Sequence, residues 1–321
     1  MTQITAKIIA HSITEDGKEI ITWELEYPRF IHAEFMTHRL FSRNAASSRA
    51  IPVSAMIEQV KNNPAMPIHW GKNQSGMQAK EELSEVLIVS AKFLWKRSAK
   101  IVAKIVEGLQ KIGLHKQASN RLLEPYQMMK TVMTTTEDDN WFWLRNHNDA
   151  QPEIHALASV MLEEKRNSHP VVLRHGDWHV PYYGKGYWRD SGYANGDMEA
   201  LFNKRDRFST LKNALAISSS CCAQVSYRKL DDRLEKAEEV YARLIESEPV
   251  HASPFEHQAT PIAKSKIGNM CPSVNVSSMS SSWEDGITHV DREGNFWSGN
   301  FKGWIQHRQL IKNNACWDYK E

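Results

Sequence analysis

Between His38 and Arg49 the chain reads His-Arg-Leu-Phe-Ser-Arg-Asn-Ala-Ala-Ser-Ser-Arg. His38, Arg39, Ser42, Asn44, Ser47 and Arg49 bring guanidiniums, hydroxyls, an amide and an imidazole into one short segment. Such a set suits an oxyanion ligand, because the planar guanidinium fork meets phosphate oxygens two at a time. The plain alternative is a solvated loop with helix-capping serines.

The elements that must hold these residues can be read from periodicity. Lys7 to Ile13 and Glu19 to Tyr27 alternate around Asp16-Gly17 and predict a β-hairpin. After Pro28, Phe30 to Met36 reads as a strand running into the arginine motif, which Ile51-Pro52 closes. Residues 80–112 carry apolar side chains at helical spacing, ended by Gly113, and read as a central core helix. A helix is expected from Gln117 to about Met133, broken by Pro125. Asp139 to Arg145 leads into another helix with Pro152 in its first turn. Asn167 to Asp206 reads as a long ordered loop or lid. Leu211 to Val225 and Leu230 to Ile245 are helical again, and Ser273 to Phe301 is irregular. The expected class is α/β (α+β), in a single domain spanning 1–321.

Composition narrows the function. A net charge of +2 over 321 residues gives no long-range field of the kind nucleic-acid binders carry, so local arginines must hold any anion. Cys221, Cys222, Cys271 and Cys316 form no CxxC pair and suggest neither a zinc site nor a disulfide framework. A reducing cytoplasm is the expected compartment, with no signal peptide, membrane span or metal.

The spacing of the arginine run resembles the signature of the flavin-dependent thymidylate synthases (ThyX), Arg-His-Arg-x-x-Ser-x-Asn-x-x-Ser-x-Arg, with Thr37 in place of the leading arginine. Other segments are similar to that family too. Arg121-Leu-Leu-Glu-Pro125 matches its Arg-x-x-x-Pro. Phe142-Trp-Leu-Arg145 with Ala150-Gln151-x-Glu153-Ile154 matches its Phe-x-x-Leu-Arg…Ala-Gln-x-Glu-Ile. Ala223 to Tyr227 resembles Ala-Arg-Val-Ser-Tyr, and His251 to His257 resembles His-x-Ser/Thr-Pro-Phe-Glu-His. In the family the last two precede the arginine motif; here they follow it by about two hundred residues. A circular permutation is therefore expected, with 213–262 matching the family's N-terminal part, 165–212 an inserted lid and 263–321 a C-terminal extension. It predicts that the strand after His257 shares a sheet with the strand from Ile20 to Met36.

The resemblance implies an α/β fold of a central sheet flanked by long helices, a homotetramer with sites at subunit contacts, and reductive methylation of dUMP at C5. Methylenetetrahydrofolate would give the carbon, reduced FAD the hydride, and NADPH would reduce the flavin. Arg49 and Arg121, with Ser47, would hold the nucleotide phosphate, and Arg145 would contact the pyrimidine ring. Positions matching FAD contacts are His38, Arg39, Asn44, Asn140, Ser226, Ser253 and Glu256, with His251 near the flavin and folate. The three guanidiniums of Arg49, Arg121 and Arg145 are expected to converge on one nucleotide.

Departures accompany the resemblance. Thr37 and Thr136 stand where an arginine is found in the family or in some members, Ala45 where it has an acid, Glu34 where some have glutamine, and Asp149 where some have histidine. Arg308 is the expected replacement for the lost positive charge. Alternative readings are another C5 modification such as hydroxymethylation, a non-catalytic nucleotide-binding descendant, and a zinc hydrolase built on His169, His175, Asp177 and His179.

Overall fold

The structure is a computed structural model that describes residues 4–190, 210–227, 230–263 and 283–319. Its first element is the expected hairpin: strands β1 (Thr5–Thr14) and β2 (Glu19–Pro28) pair antiparallel. Gly17 turns between them at φ +85, a backbone region open to glycine without steric cost. Beyond Pro28 the expected strand is absent. Arg29–Ile31 forms a 3-10 turn and His32–Phe35 a short helix, α1. Ile31 and Phe35, four residues apart, are both fully buried, so the segment follows a helical repeat instead of alternation.

The chain then enters strand β3 (Ser42–Ala45), followed by helices α2 (Val53–Asn62) and α3 (Glu85–Lys111). Helix α3 is present, but it is not a core helix. Its buried residues are the small Ala99 and Ala103 with Val106, packed with α2, while Val86, Phe93 and Leu94 are 76%, 61% and 63% exposed. Next come α4 (Lys116–Ser119), a 3-10 turn over Asn120–Tyr126, and strand β4 (Met128–Thr135). The helix expected to continue to Met133 therefore stops before Pro125 has been passed by one turn. The run Met-Met-Lys-Thr-Val-Met-Thr-Thr is a central strand with neighbours on both sides, buried on both faces, and so it lacks the alternation that marks a strand.

Helices α5 (Asp139–Arg145) and α6 (Pro152–Arg166) follow, with Pro152 in the first turn as expected. Short strands β5 (Val171–Leu173), β6 (Trp178–His179) and β7 (Tyr187–Trp188) interrupt the expected lid, of which 191–209 lies outside the described residues. Helices α7 (Leu211–Gln224) and α8 (Leu234–Glu246) agree with the two helices read there. The chain ends in β8 (Ala259–Pro261), β9 (His289–Val290), β10 (Phe296–Ser298), β11 (Phe301–Lys302), β12 (Trp304–Gln306) and the turn of helix α9 (His307–Leu310). Strands β9 to β11 fall inside the stretch expected to be irregular, and 264–282 is outside the described residues.

The main sheet has the order β3-β4-β2-β1-β5, mixed because β5 runs parallel to β1. Its odd-numbered β2 residues Trp23, Leu25 and Tyr27 pack with Phe35, Trp141 and the α6 residues Ile154, Leu157 and Met161. Its other face is polar at the centre. Ser12 Oγ bonds His179 Nδ1 (2.9 Å), His179 Nε2 bonds Thr22 Oγ1 (2.8 Å), Thr22 bonds Thr134 (2.8 Å), and Thr134 bonds His257 Nδ1 (2.8 Å). This buried chain joins the main sheet to a second sheet of order β12-β8-β6-β7. Strand β8, which follows His257, pairs with β12 and β6 and not with β2. The sheet relation that a circular permutation predicted is therefore absent: the segment packs face to face against the main sheet instead of extending it. Among the described residues no helix is long and apolar enough to cross a membrane.

Candidate functional site

Strand β3 is the meeting point. It sits at the edge of the main sheet beside β4, with Ser42 opposite Thr134 and Ala45 opposite Thr131. The free side of this edge is covered by segments from much later in the chain. Ser47 N donates to Ser226 O (3.1 Å), Ser226 Oγ donates to Ala45 O (3.4 Å), and Asn44 Nδ2 donates to Cys222 O (3.4 Å). Gln306 Nε2 donates both to Ser42 Oγ (3.2 Å) and to Glu256 O (3.3 Å). Segments 223–227 and 251–257 are thus brought to the arginine motif, as expected of them, although by loop contacts instead of a shared sheet.

Before β3, a first corner forms around Arg145 at the end of α5. Its Nε donates to His38 Nε2 (3.0 Å), its Nη2 to Thr37 Oγ1 (3.4 Å), and its Nη1 to the Glu34 carboxylate. His38 lies edge-on to Trp141 at 4.7 Å and stacks on Phe41 at 5.6 Å. Burial, then the charges of Arg145 and Arg43, push its pKa down to about 4, so the imidazole is neutral and has a lone pair for Arg145. Arg43, in β3, donates to the carbonyls of Phe35 (3.2 Å) and His38 (3.0 Å) and fixes this turn. Arg39 and Asn140 are exposed on the rim. Arg43 also feels Glu256 and Arg39, so these groups share one electrostatic neighbourhood.

Behind it, Arg308, the expected replacement for the positive charge lost at Thr37 and Thr136, is paired with the Glu256 carboxylate. Burial raises the Glu256 pKa, and the hydrogen bond and charge of Arg308 oppose that rise. Arg308, His251 and Ser253 line a cavity of about 470 Å³ together with Ser247, Pro249 and Val250. Thr136, by contrast, uses its hydroxyl to accept from Lys302 N (2.9 Å), and the Asp149 carboxylate faces His147 at 3.8 Å.

After β3, a second corner gathers around Arg121. Its Nη1 donates to Glu124 Oε1 (2.9 Å), the oxygen that also accepts from Ser48 Oγ (2.6 Å) and faces Arg29 Nη2 (3.1 Å). Arg49 is exposed on the adjoining turn. The three arginines expected to converge have separate partners: Arg145 bonds His38 and Thr37, which precede β3, and Arg121 bonds Glu124, which reaches Ser48 after it. The pKa of His32 is pushed down to about 4 by burial and by Arg29 and Arg43.

Arg29, Arg43, Ser48 and Glu124 were not singled out by the sequence. Arg43 and Ser48 lie at variable positions inside the motif, and Glu124 lies inside Arg-x-x-x-Pro, so motif spacing marked the neighbourhood and not the residues. The zinc grouping is not formed. His179 is in the buried chain, His175 bonds Glu284 (2.7 Å), and Asp177 accepts from Arg174 N (3.0 Å). Among the described residues no three His, Cys, Asp or Glu side chains are grouped to hold a metal. Cys221 and Cys222 are buried and free, and burial pushes the Cys221 thiol up to about 12, which makes it a poor nucleophile.

Comparison with known proteins adds three findings. The model of the Thy1 family, thymidylate synthase complementing protein, matches residues 11–171, half of the chain. That match holds the arginine motif, Arg121 and Arg145 in one run and ends before 223–257, so it gives a permuted order no support. Among solved structures, the UMP/dUMP methylase PolB from Streptomyces cacaoi bound with 5-Br UMP is similar at TM-score 0.45 and 15% identity, over 52% of this chain and 90% of that one. The same methylase bound with 5-Br dUMP is similar at TM-score 0.42 and 14% identity, over 52% and 91%. No curated protein matches the sequence.

Proposed function

The chain belongs to the Thy1 family of thymidylate synthase complementing proteins, and from that membership we propose that it is a ThyX-like enzyme modifying C5 of a pyrimidine nucleotide, with dUMP methylation as its reaction. The observation that carries this reading is that the arginine motif, β3 with its flanking turns, bonds Arg145 before the strand, Ser226 and the Gln306–Glu256 pair beside it, and Glu124 of the Arg121 segment after it. In the proposal, methylenetetrahydrofolate supplies the carbon and NADPH is the reductant.

Each corner has a task. Arg121, Arg49 and Ser47 bind the phosphate, since guanidiniums remain charged and donate in a fixed plane. Arg145 contacts the base and stabilises negative charge on the ring oxygens as C5 attacks, and a fixed donor of this kind is worth on the order of 3 kcal/mol. Its fixity comes from His38 and Glu34, which take up Nε and Nη1 and leave it little rotational freedom. A neutral His38 is essential here, because a protonated ring would repel Arg145.

FAD fits the chemistry of the groups around Arg308. A guanidinium, a hydroxyl and an imidazole (Arg308, Ser253, His251) line the cavity and suit a pyrophosphate or ring edge, and its volume of about 470 Å³ accommodates part of a dinucleotide. Glu256, His38, Arg39, Asn44, Asn140 and Ser226 are the further residues that would hold it. When bound, FAD would supply the hydride that completes the methyl group.

The exposed side of α3 supports a homo-oligomer. Leu87, Leu94 and Ile101 recur every seven residues and are half exposed or more, the spacing of a helix–helix seam. Sedimentation should give more than one chain per particle, and Leu94→Glu should reduce it; a monomeric parent would end this part of the reading.

The decisive assay incubates the protein with dUMP, methylenetetrahydrofolate, FAD and NADPH and weighs the nucleotide. Gain of one methylene unit at C5 is expected. Absence of product from dUMP and dCMP alike removes the enzyme reading.

A further inference from the structure

The Arg121 corner contains an anion already. Two donors, Ser48 Oγ (2.6 Å) and Arg121 Nη1 (2.9 Å), bond a single oxygen, Glu124 Oε1, and a second guanidinium, that of Arg29, faces the same oxygen at 3.1 Å as an ion pair. A carboxylate oxygen has two lone-pair directions, so these three groups oversupply it. The charges are uneven too: one carboxylate stands against two guanidiniums. A phosphate monoester has three terminal oxygens and nearly two negative charges at neutral pH, and would give each donor its own oxygen.

The backbone segments that carry these side chains are tied together without help from Glu124. Asn120 Nδ2 donates to the carbonyls of Ser48 (2.7 Å) and Ile51 (3.0 Å), tying the motif turn to the 3-10 turn that carries Arg121. Arg29 N donates to Gln127 O (2.8 Å), tying the end of β2 to the far side of the same turn. The Arg29 side chain is 19% exposed and that of Glu124 21%. Glu124 is therefore near enough to solvent to swing out on its own flexible side chain, while the cradle stays built.

We propose that Ser48, Arg29 and Arg121 form the phosphate subsite of the nucleotide, and that the Glu124 carboxylate occupies this subsite in the free protein and is displaced by the incoming phosphate. The proposal rests on the nucleotide reading above and adds to its Arg121, Arg49 and Ser47 three residues, Ser48, Arg29 and Glu124, and an exchange of one anion for another. No bond forms or breaks; a partly exposed ion pair opens, which costs little.

The test is calorimetric binding of dUMP and of deoxyuridine to the full chain and to Glu124→Gln, Glu124→Ala and Arg29→Ala, with thermal melts to verify that each variant folds. Removing the competing charge should tighten dUMP by about tenfold in both Glu124 variants, a size set by the modest strength of partly exposed pairs. Arg29→Ala should weaken dUMP by about tenfold. Deoxyuridine, which has no phosphate, should respond to neither. Equal or weaker dUMP binding by both Glu124 variants overturns the displacement. If dUMP then binds the parent chain and is lost in Arg121→Ala, the nucleotide reading stands and only this inference falls. If the parent chain binds neither dUMP nor dCMP, the nucleotide reading fails, and titration with inorganic phosphate decides the subsite: tighter binding by Glu124→Gln upholds it as an anion site, and no binding by any variant overturns it.

Discussion

The two corners at the ends of β3 both centre on an arginine and are built in opposite ways. Arg145 is 20% exposed, and its donors are spread over a neutral imidazole, a hydroxyl and a carboxylate. Arg121 is 54% exposed and shares one carboxylate oxygen with the Ser48 hydroxyl and the ion-paired Arg29. The first arrangement fixes a charge in space before any ligand arrives, which is what stabilising a developing charge requires. The second keeps donors loaded on a replaceable anion, which is what capture and release of a charged ligand requires. In the proposed reading, rigidity belongs to the reacting end and exchange to the anchoring end.

The sharpest way to break this contrast is Arg145→Ala. It should lower kcat by about 10²–10³-fold, as loss of one preorganised donor does elsewhere, with thermal stability nearly retained. Full activity in that variant would remove the assignment. Arg121→Ala should act on the other parameter. KM for dUMP should rise by about tenfold with kcat changed only a few-fold, because a phosphate anchor contributes equally to ground and transition states. A kcat loss as large as that of Arg145→Ala would erase the difference between the corners. His38→Gln and His38→Ala should then separate positioning from packing. The glutamine oxygen can still accept from Arg145, so kcat should fall by only about threefold, against about tenfold for alanine. Equal losses would mean that His38 only fills space.

The smallest effect expected is on pH. Folding holds His38 and His32 at about 4, below the ordinary imidazole value of 6.5. Between these values the unfolded chain binds more protons than the folded one, so stability is full above about 6.5 and is lost as pH falls toward 4. Denaturant melts between pH 7 and 4 should show that decline, whereas turnover should fall only as pH nears 4, where His38 in the folded chain takes up a proton and ceases to accept from Arg145. Flat stability from pH 7 to 4 would mean that these rings are not held neutral.

Much of the framework was legible. The hairpin, α5 with α6, and α7 with α8 followed from local pattern, because an amphipathic face or a turn glycine is a property of a few adjacent residues. The misreadings share a cause. Phe30 to Met36 and Met128 to Thr135 carry apolar residues in nearly every register, and only the neighbours decide which backbone buries them. Helix α3 was recognised as a helix, but its apolar side was assigned to the core; within one chain, most of that side faces outward. The motif residues were legible as a family resemblance, and Arg121 and Arg145 were found, but their separate partners were not, since spacing along the chain says nothing of which groups folding brings together.

Sequence alone determined the chemistry available here: arginines, hydroxyls and a histidine suited to an oxyanion ligand, within the Thy1 family. Tertiary structure decided how that chemistry is divided. Burial beside Trp141 and Phe41 makes His38 neutral, and the return of α5 gives Arg145 its fixed partners. The meeting of β2, the motif turn and the 3-10 turn creates a cradle around Glu124 that no one segment contains. Protonation and convergence are set by groups distant in sequence and near in space, so they come into being only when the chain folds.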